Sequence, residues 1–171
     1  MFIIELLNTE GWQRFIGNRN VYTSEDAANY LLNGPMKSYE QHGFGLSCIC
    51  IKETGEAIGM CGLIKRPQFQ FPDIGFALLP SFEKKGYAYE AASCIIADAR
   101  NRYEFEKMAA ITNTDNDLSG SLLKKLGFVL EKEIEMDNEI LNQYELNLKS
   151  TSKKIKPRGT VATLHLSRRN Q

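Results

Sequence analysis

The sequence predicts a mixed α/β domain in which helices flank one central sheet. Alternating apolar and polar residues at 44–65 indicate a β-hairpin in the first half of the chain. A strand–helix–strand order at 73–113 favours a right-handed crossover between parallel strands. A second alternating pair at 128–148 predicts a closing hairpin. Antiparallel hairpins joined to a parallel pair give a mixed sheet.

The N-terminal region is predicted to be helical. Residues 1–8 place apolar side chains on one helical face, which favours a short helix. The segment Thr-Ser-Glu-Asp at 23–26 is typical of a helix N-terminus, with a capping side chain and acids in the first turn. That helix is expected to end or kink at the Asn-Gly-Pro triplet 33–35, before a short helical piece at 39–41.

The first hairpin has predicted strands at 44–52 and 57–65 around a turn at 54–55. A two-residue turn there would place Cys48 opposite Cys61. The four cysteines lack a C-x-x-C pair and the chain has only two histidines, so no metal site is predicted. We expect the thiols to be reduced and packed as small apolar groups.

The second half of the chain alternates strands with helices. The predicted elements are a strand at 73–80, a helix at 86–100, a strand at 107–113, a helix at 118–126, and strands at 128–136 and 140–148. Alanine and isoleucine form a wide apolar face on the first of these helices. Gly127 follows the second helix where a left-handed residue is wanted, so we expect it to end that helix.

The composition is that of one ordinary globular domain, with 43% apolar and 25% charged residues among 171. No apolar run approaches the roughly 20 residues of a membrane helix. The N-terminus lacks the features of a signal peptide, so we expect a cytoplasmic protein without membrane contact. Net charge is zero, but seven basic and no acidic residues lie from Lys149 to the C-terminus. That tail has no aromatic residue to stack on bases, which disfavours a nucleic-acid partner.

The segment Lys84-Lys85-Gly86 lies where the third strand is expected to turn into a helix. The first N–H groups of a helix have no intrahelical partners, and the helix dipole is positive there. Gly86 lets the backbone approach a phosphate closely because it has no Cβ, and the two lysines add positive charge. The turn therefore suits a phosphate or pyrophosphate, although a glycine can also serve only to turn the chain.

Two segments together carry a family resemblance. DIGFALLPSFEKKGYAYEAA at 73–92 and NDLSGSLLKKLGF at 116–128 resemble the GNAT superfamily of acetyl-CoA-dependent N-acetyltransferases. Over about residues 3–148 the chain is most similar to the branch of the ribosomal-protein N-terminal acetyltransferases. The resemblance implies a mixed sheet with a V-shaped opening between two central parallel strands. It also implies transfer of an acetyl group from acetyl-CoA, as co-substrate, to a primary amine.

The resemblance further implies which residues contact acetyl-CoA. Residues 83–88 fall on the family's phosphate-binding motif, with Glu83 where Arg or Gln is usual, so its side chain is expected to point to solvent. The splayed end of the third strand near Leu78 would bind the pantetheine arm and hold the oxyanion. The implied cofactor-binding residues are Leu78, Leu79, Lys84, Lys85, Gly86, Tyr87, Ala88 and Asn116.

Attack of the amine on the thioester would be helped by a base and an acid. Asp73 is the main candidate for the base, with His42 and Glu56 as alternatives. Ser119 matches a serine that in this branch would protonate the leaving thiolate. Many relatives have a tyrosine acid at the place held here by Leu123. The alternative for Ser119 is a hydroxyl that bonds to its own helix backbone.

Relatives begin with a strand before the first helix, whereas this chain begins inside that helix. Residues 160–167 alternate and are similar to the absent strand. We therefore hypothesise that the tail supplies an edge strand, in the same chain or in a second copy of a homodimer. The alternative is a tail outside the fold. The chain is accordingly divided into an acetyltransferase domain at 1–148 and a basic tail at 149–171.

Two functional classes remain open at this point. The first is an N-acetyltransferase acting on a peptide N-terminus or a small-molecule amine. The second is a non-catalytic acyl-CoA-binding or regulatory module, which the unusual Glu83 and Leu123 would favour. An acidic body would attract a cationic acceptor by electrostatic steering, but the acceptor itself is not readable from the residues.

Overall fold

The central feature of the fold is one seven-stranded sheet. It is seen in a computed structural model that describes residues 2–149 and 159–164. The strands are β1 Leu46–Ile51, β2 Ala57–Ile64, β3 Asp73–Leu78, β4 Lys107–Asn113, β5 Val129–Met136, β6 Glu139–Asn147 and β7 Val161–Leu164. Across the sheet their order is β5-β6-β4-β3-β2-β1-β7. The β3–β4 pair is parallel and the other pairs are antiparallel, which confirms the predicted mixed sheet.

Helices cover both faces of the sheet. In the described residues they are α1 Phe2–Leu7, α2 Glu10–Phe15, α3 Ser24–Leu31, α4 Lys37–His42, α5 Tyr87–Arg102 and α6 Asp117–Leu126. Thr23 caps α3 in a reciprocal pair of hydrogen bonds with Asp26, as the sequence predicts. Gly127 ends α6 with a φ of 95°, also as predicted. In the part of the chain that is described, no helix is both long and apolar enough to cross a membrane.

The N-terminal region has one helix that the sequence did not predict and one irregular turn at a predicted position. Helix α2 was not predicted, although Thr9 caps it by accepting the N–H of Trp12. The triplet at 33–35 was predicted to end or kink the helix; it does not end it, because a wider π-type turn at Leu32–Met36 leads straight into α4. Pro35 has no N–H to donate, and the wider turn accommodates that missing hydrogen bond.

The register of the first hairpin also differs from the prediction. Cys48 lies opposite Met60 rather than Cys61, so the predicted pairing of the two cysteines is wrong. The loop spans more than two residues, since the N–H of Gly55 donates to the carbonyl of Ile51 at 2.8 Å. Ile58 is an additional residue of β2 between the pairs Ile49–Gly59 and Cys50–Ala57, and this bulge changes the register by one residue. All four cysteines are free thiols.

Two apolar clusters separate the layers. Helix α5 packs on one face of the sheet, and the α5-side cluster there contains Ile58, Ile96 and Met108, each at most 1% exposed. Helices α1 to α3 cover the other face, and the α1–α3 cluster there contains Leu6 and Met60, which are equally buried. Complete burial of such side chains supplies most of the driving force for folding.

Strand β7 forms the edge of the sheet beside β1. Val161 lies opposite Ile51 and is 3% exposed within the α5-side cluster. The carboxylate of Glu90 on α5 accepts the N–H of Val161 at 2.9 Å. The tail hypothesis concerned residues 160–167. Its described part lies at the sheet edge within the same chain, and residues 150–158 and 165–167 lie outside the described residues.

Candidate active site

The two parallel strands separate soon after they meet. Asp73 and Ala109 are the single paired position of β3 and β4, and the N–H of Ala109 donates to Pro72 at 3.0 Å. Beyond that position the strands diverge, which gives the V-shaped opening that the resemblance implied. A cavity of about 880 Å³ lies at this opening and reaches residues on both faces of the sheet.

The backbone of β3 faces the opening at alternate residues. The N–H of Leu79 donates to Ile58 of β2 at 2.8 Å, so the backbone groups one residue away point to the opposite side. Phe76 and Leu78 therefore direct their N–H and C=O groups towards β4, beyond the last paired position. A bound ligand could pair with these groups as an additional strand.

Side chains of β3 alternate between the two faces. Phe76 and Leu78 pack with the α5-side cluster, whereas Ala77 packs with the cluster under α1 to α3. Asp73 therefore belongs to the α1–α3 face by the period of two. Leu79 is 7% exposed, packs in the α1–α3 cluster and does not line the cavity. Its predicted contact with the cofactor is not favoured, because its N–H and its side chain are both engaged within the protein.

The turn before α5 lies at one end of the cavity. Gly86 has a φ of 91° and Lys84 a φ of 58°, so two left-handed residues bend the chain into the helix. Lys84, Gly86 and Ala88 line the cavity, and the exposed Glu83 lines it as well. The first N–H groups of α5 have no side-chain cap within the described residues. They are therefore available to an anion.

Two residues predicted at this turn lie outside the cavity lining. The ammonium of Lys85 lies 5.5 Å from the centre of the Phe82 ring, and the Tyr87 ring lies 6.2 Å from the same ring. Their side chains are therefore packed beside the turn. Only the backbone groups of Lys85 and Tyr87 remain candidates for contact with a phosphate.

The N-terminus of α6 lines the cavity from the other side. Asn116 caps α6, because its side-chain oxygen accepts the N–H of Ser119 at 3.1 Å. Both residues line the cavity and are half-buried. The hydroxyl of Ser119 makes no hydrogen bond to any described residue, so it is free to donate to a ligand. Leu123 also lines the cavity and is 1% exposed. We call the end lined by Lys84, Gly86, Ala88, Asn116 and Ser119 the turn end.

Asp73 lines the cavity but is 1% exposed. Its two carboxylate oxygens both accept from Nε of Arg66, at 3.1 and 3.0 Å. Burial raises the pKa of the Asp73 carboxyl, and the charge and hydrogen bond of Arg66 only partly offset that effect. A carboxylate held in this way is poorly placed to take a proton from an incoming amine, so the geometry does not favour the predicted role of general base.

The two alternative bases lie away from the cavity. His42 is exposed at the end of α4, where its ring stacks on Phe44 at 5.7 Å. Glu56 lies in the loop between β1 and β2 and is exposed. Neither residue lines the cavity, so the geometry favours neither as a base for chemistry at this site.

Apart from Asp73, the opposite end of the cavity contains residues that the sequence analysis did not single out. We call it the α2 end and define it by the lining residues Glu10, Arg14, Arg19, Arg66 and Asp73. Arg14 bridges α2 to the segment before α6 through Asp115 at 2.7 Å. The capping pattern Thr9-Glu10 was the one local signal for α2. Charged residues elsewhere at this end had no local signal, since only the fold brings them together.

The described residues contain no group of three or more His, Cys, Asp or Glu side chains that could hold a metal ion.

Comparison with known proteins identifies the family. The model of the acetyltransferase (GNAT) domain matches residues 1–129. This chain belongs to the GNAT acetyltransferase family. Among curated relatives, an uncharacterized N-acetyltransferase of Bacillus subtilis, YjdG, is 33% identical over 106 residues. The match covers 61% of this chain and 63% of that protein.

Solved structures have the same fold. A spermidine N-acetyltransferase from Vibrio cholerae, in complex with CoA and spermine, matches with a TM-score of 0.70 at 16% identity, over 86% of this chain and 88% of that one. A ribosomal-protein-S5-alanine acetyltransferase from Vibrio fischeri matches with a TM-score of 0.63 at 21% identity, over 75% and 74%. At such low identity these structures support the GNAT fold of this chain and do not decide between acceptors.

Proposed function

We propose that this GNAT domain transfers an acetyl group from acetyl-CoA to a primary amine. One observation carries the proposal: a single cavity joins the splayed β3–β4 opening to the left-handed turn at Gly86. A pyrophosphate fits the uncapped N–H groups of α5 beside Lys84. The pantetheine arm fits the open backbone edge of β3 at Phe76 and Leu78.

The reaction follows from this placement of groups. Acetyl-CoA supplies an acetyl thioester whose carbonyl carbon accepts the lone pair of the amine. As the new C–N bond forms, the N–H of Leu78 is placed to stabilise the negative carbonyl oxygen. The C–S bond then breaks, the amine loses a proton to solvent or a base, and Ser119 is placed to donate a proton to the departing thiolate.

The test begins with thermal unfolding of the full chain with and without acetyl-CoA. A ligand that binds only the folded state raises the midpoint by mass action. Gly86→Glu places a carboxylate beside the pyrophosphate and should abolish the rise. Gly55→Glu is the matched control, because Gly55 has a φ of 72° in the β1–β2 loop, away from the cavity.

The second stage measures release of free CoA thiol with a panel of amines. Turnover supports the proposed enzyme. A Gly86-dependent rise in the midpoint without turnover of any amine would support instead a non-catalytic acyl-CoA-binding module. Absence of any rise with wild-type protein would refute the cofactor site itself.

A further inference from the structure

The α2 end of the cavity contains Arg66, whose guanidinium is held in place by Asp73 through only one of its N–H donors. The two oxygens of Asp73 contact Nε of Arg66, and Asp73 is 1% exposed. A carboxylate this buried needs its partner, since an uncompensated buried charge is strongly unfavourable. The pair therefore holds the Arg66 guanidinium in one position.

The backbone around Arg66 is held as well. The N–H of Phe69 donates to the carbonyl of Arg66 at 3.2 Å. The ammonium of Lys65 donates to the carbonyls of Phe69 and Gln70 at 3.2 and 3.3 Å. Arg66 therefore lies in a loop between β2 and β3 that is held by hydrogen bonds among its own residues.

The terminal nitrogens of Arg66 remain available. An arginine has five N–H donors, and Asp73 uses the single one on Nε. No other described residue bonds to the guanidinium of Arg66, whose side chain is 30% exposed and lines the cavity. Four donors in a planar fork therefore remain for a ligand in the cavity.

The position of the Arg66 guanidinium places it on the side of the sheet from which the acceptor amine would approach. The turn end lies with α5 and α6 on one face of the sheet, and Asp73 lies on the α1–α3 face by strand alternation. Acetyl-CoA entering from the turn end would present its thioester through the β3–β4 opening. The amine must then approach from the α2 end, where Arg66 is fixed.

Charges of both signs line the cavity near this approach. Arg14 is already paired with Asp115, and Arg19 makes a single long hydrogen bond of 3.4 Å to Ile16. Three exposed acids in the lining are suited to an ammonium group: Glu10, Asp137 and Glu139. A polyamine offers no oxygen to the Arg66 fork, whereas a carboxylate or carbonyl oxygen fits it well.

We propose that Arg66, positioned by Asp73, binds an oxygen on the carbon next to the acceptor amine. The acceptor is thus an α-amino carbonyl compound, either a free amino acid or a peptide N-terminus. This inference rests on the proposed acetyl transfer and names its acceptor class. It also assigns Asp73 as a positioning residue in place of a general base.

The experiment compares four acceptors with the full chain and saturating acetyl-CoA: alanine, alaninamide, an alanine-starting peptide, and spermidine. Arg66→Lys is the key variant, because its ammonium still pairs with Asp73 and should preserve the fold. It lacks the free fork, so KM for the α-amino carbonyl acceptors should rise about 10- to 100-fold. KM for acetyl-CoA should not change. Whether the free acid or the peptide is preferred distinguishes the two sources of the amine.

Asp73→Asn separates positioning from base catalysis. A positioning role predicts a higher acceptor KM with kcat within about twofold of wild type. A base role predicts a fall in kcat and loss of the acidic limb of the pH profile, which would overturn the assignment. Arg66→Met with Asp73→Asn removes both charges and controls for a folding defect of either single variant.

Binding is measured by calorimetry on the CoA-bound protein, so that a catalytically slow acceptor still gives a result. Failure of all three alanine compounds to bind or to be acetylated would overturn the inference. Acetylation of the alanine compounds with an acceptor KM that Arg66→Lys leaves unchanged would do the same. In either case, a retained thermal shift with acetyl-CoA would leave the proposed cofactor site standing.

Discussion

Replacement of Val161 by alanine tests whether the tail strand is part of the folded domain in solution. Val161 is 3% exposed and packs against the α5-side cluster. The change removes two methyl carbons, worth about 0.8 kcal/mol each on burial. Incomplete collapse of the space left behind brings the expected loss to about 1.5–2.5 kcal/mol. For a chain of this length that lowers the unfolding midpoint by about 3–10 °C.

The matched control is Val129→Ala. Val129 lies on the opposite edge strand, β5, and is 61% exposed. The same two carbons are removed from water-exposed surface, so the free energy of unfolding should change by less than about 0.5 kcal/mol. Calorimetry or circular dichroism of the two full-length variants gives the comparison. Equal midpoints for the two would show that β7 does not dock, and the reasoning from Val161 would fail.

Three further predictions concern single groups. Burial raises the pKa of Cys48 to about 12. At pH 8, Cys48 should therefore react with iodoacetamide far more slowly in native protein than in unfolded protein. Mass spectrometry measures the two rates, and equal rates would contradict the prediction. Hydrogen bonds from the backbone of Tyr22 and then from Thr23 lower the pKa of Asp26 in the folded protein. The ionised carboxylate therefore stabilises the fold above the pKa of about 3.9 that Asp26 has in the unfolded chain, and this stabilisation is lost as the pH falls through its pKa in the folded protein. Asp26→Asn should therefore lower the unfolding midpoint more at pH 7 than below pH 3, and the opposite trend would refute the assignment. Ser119→Ala should reduce kcat by up to about 10²–10⁴-fold while the acetyl-CoA thermal shift persists, and unchanged kcat would remove Ser119 from the mechanism.

The fold could be predicted where hydrophobic periodicity extends over many residues. Helix α5 and the closing hairpin have long regular patterns, and they were found with boundaries off by a few residues. The register of the first hairpin was predicted wrongly because it depends on a bulge and on the loop geometry around Gly55. Neither feature has a signature in the side-chain pattern. Helix α2 has six residues, too few for a period to be recognised.

The candidate site likewise contains some residues that could be predicted from the sequence and others that could not. Gly86 was predicted from a local event, the turn of a strand into a helix, whereas Asn116 was taken from the family resemblance, and the structure shows that it caps α6. Asp73 was also placed at the start of a strand, but its partner could not be foreseen. Arg66 lies seven residues away across a loop, and only the folded β2–β3 pair brings the two side chains together.

The tail strand connects the sheet edge to the candidate site, because it contacts α5, the helix that begins after the turn at Gly86. Glu90 donates its N–H to the carbonyl of Gly86 at 3.0 Å, and its carboxylate accepts the N–H of Val161 at 2.9 Å. Glu90 is 2% exposed, and a carboxylate so buried needs a donor. Undocking β7 would leave that carboxylate without its only described donor, one helical turn after Gly86. An edge strand at the far side of the sheet is therefore linked, through one buried side chain, to the geometry of the proposed phosphate-binding turn.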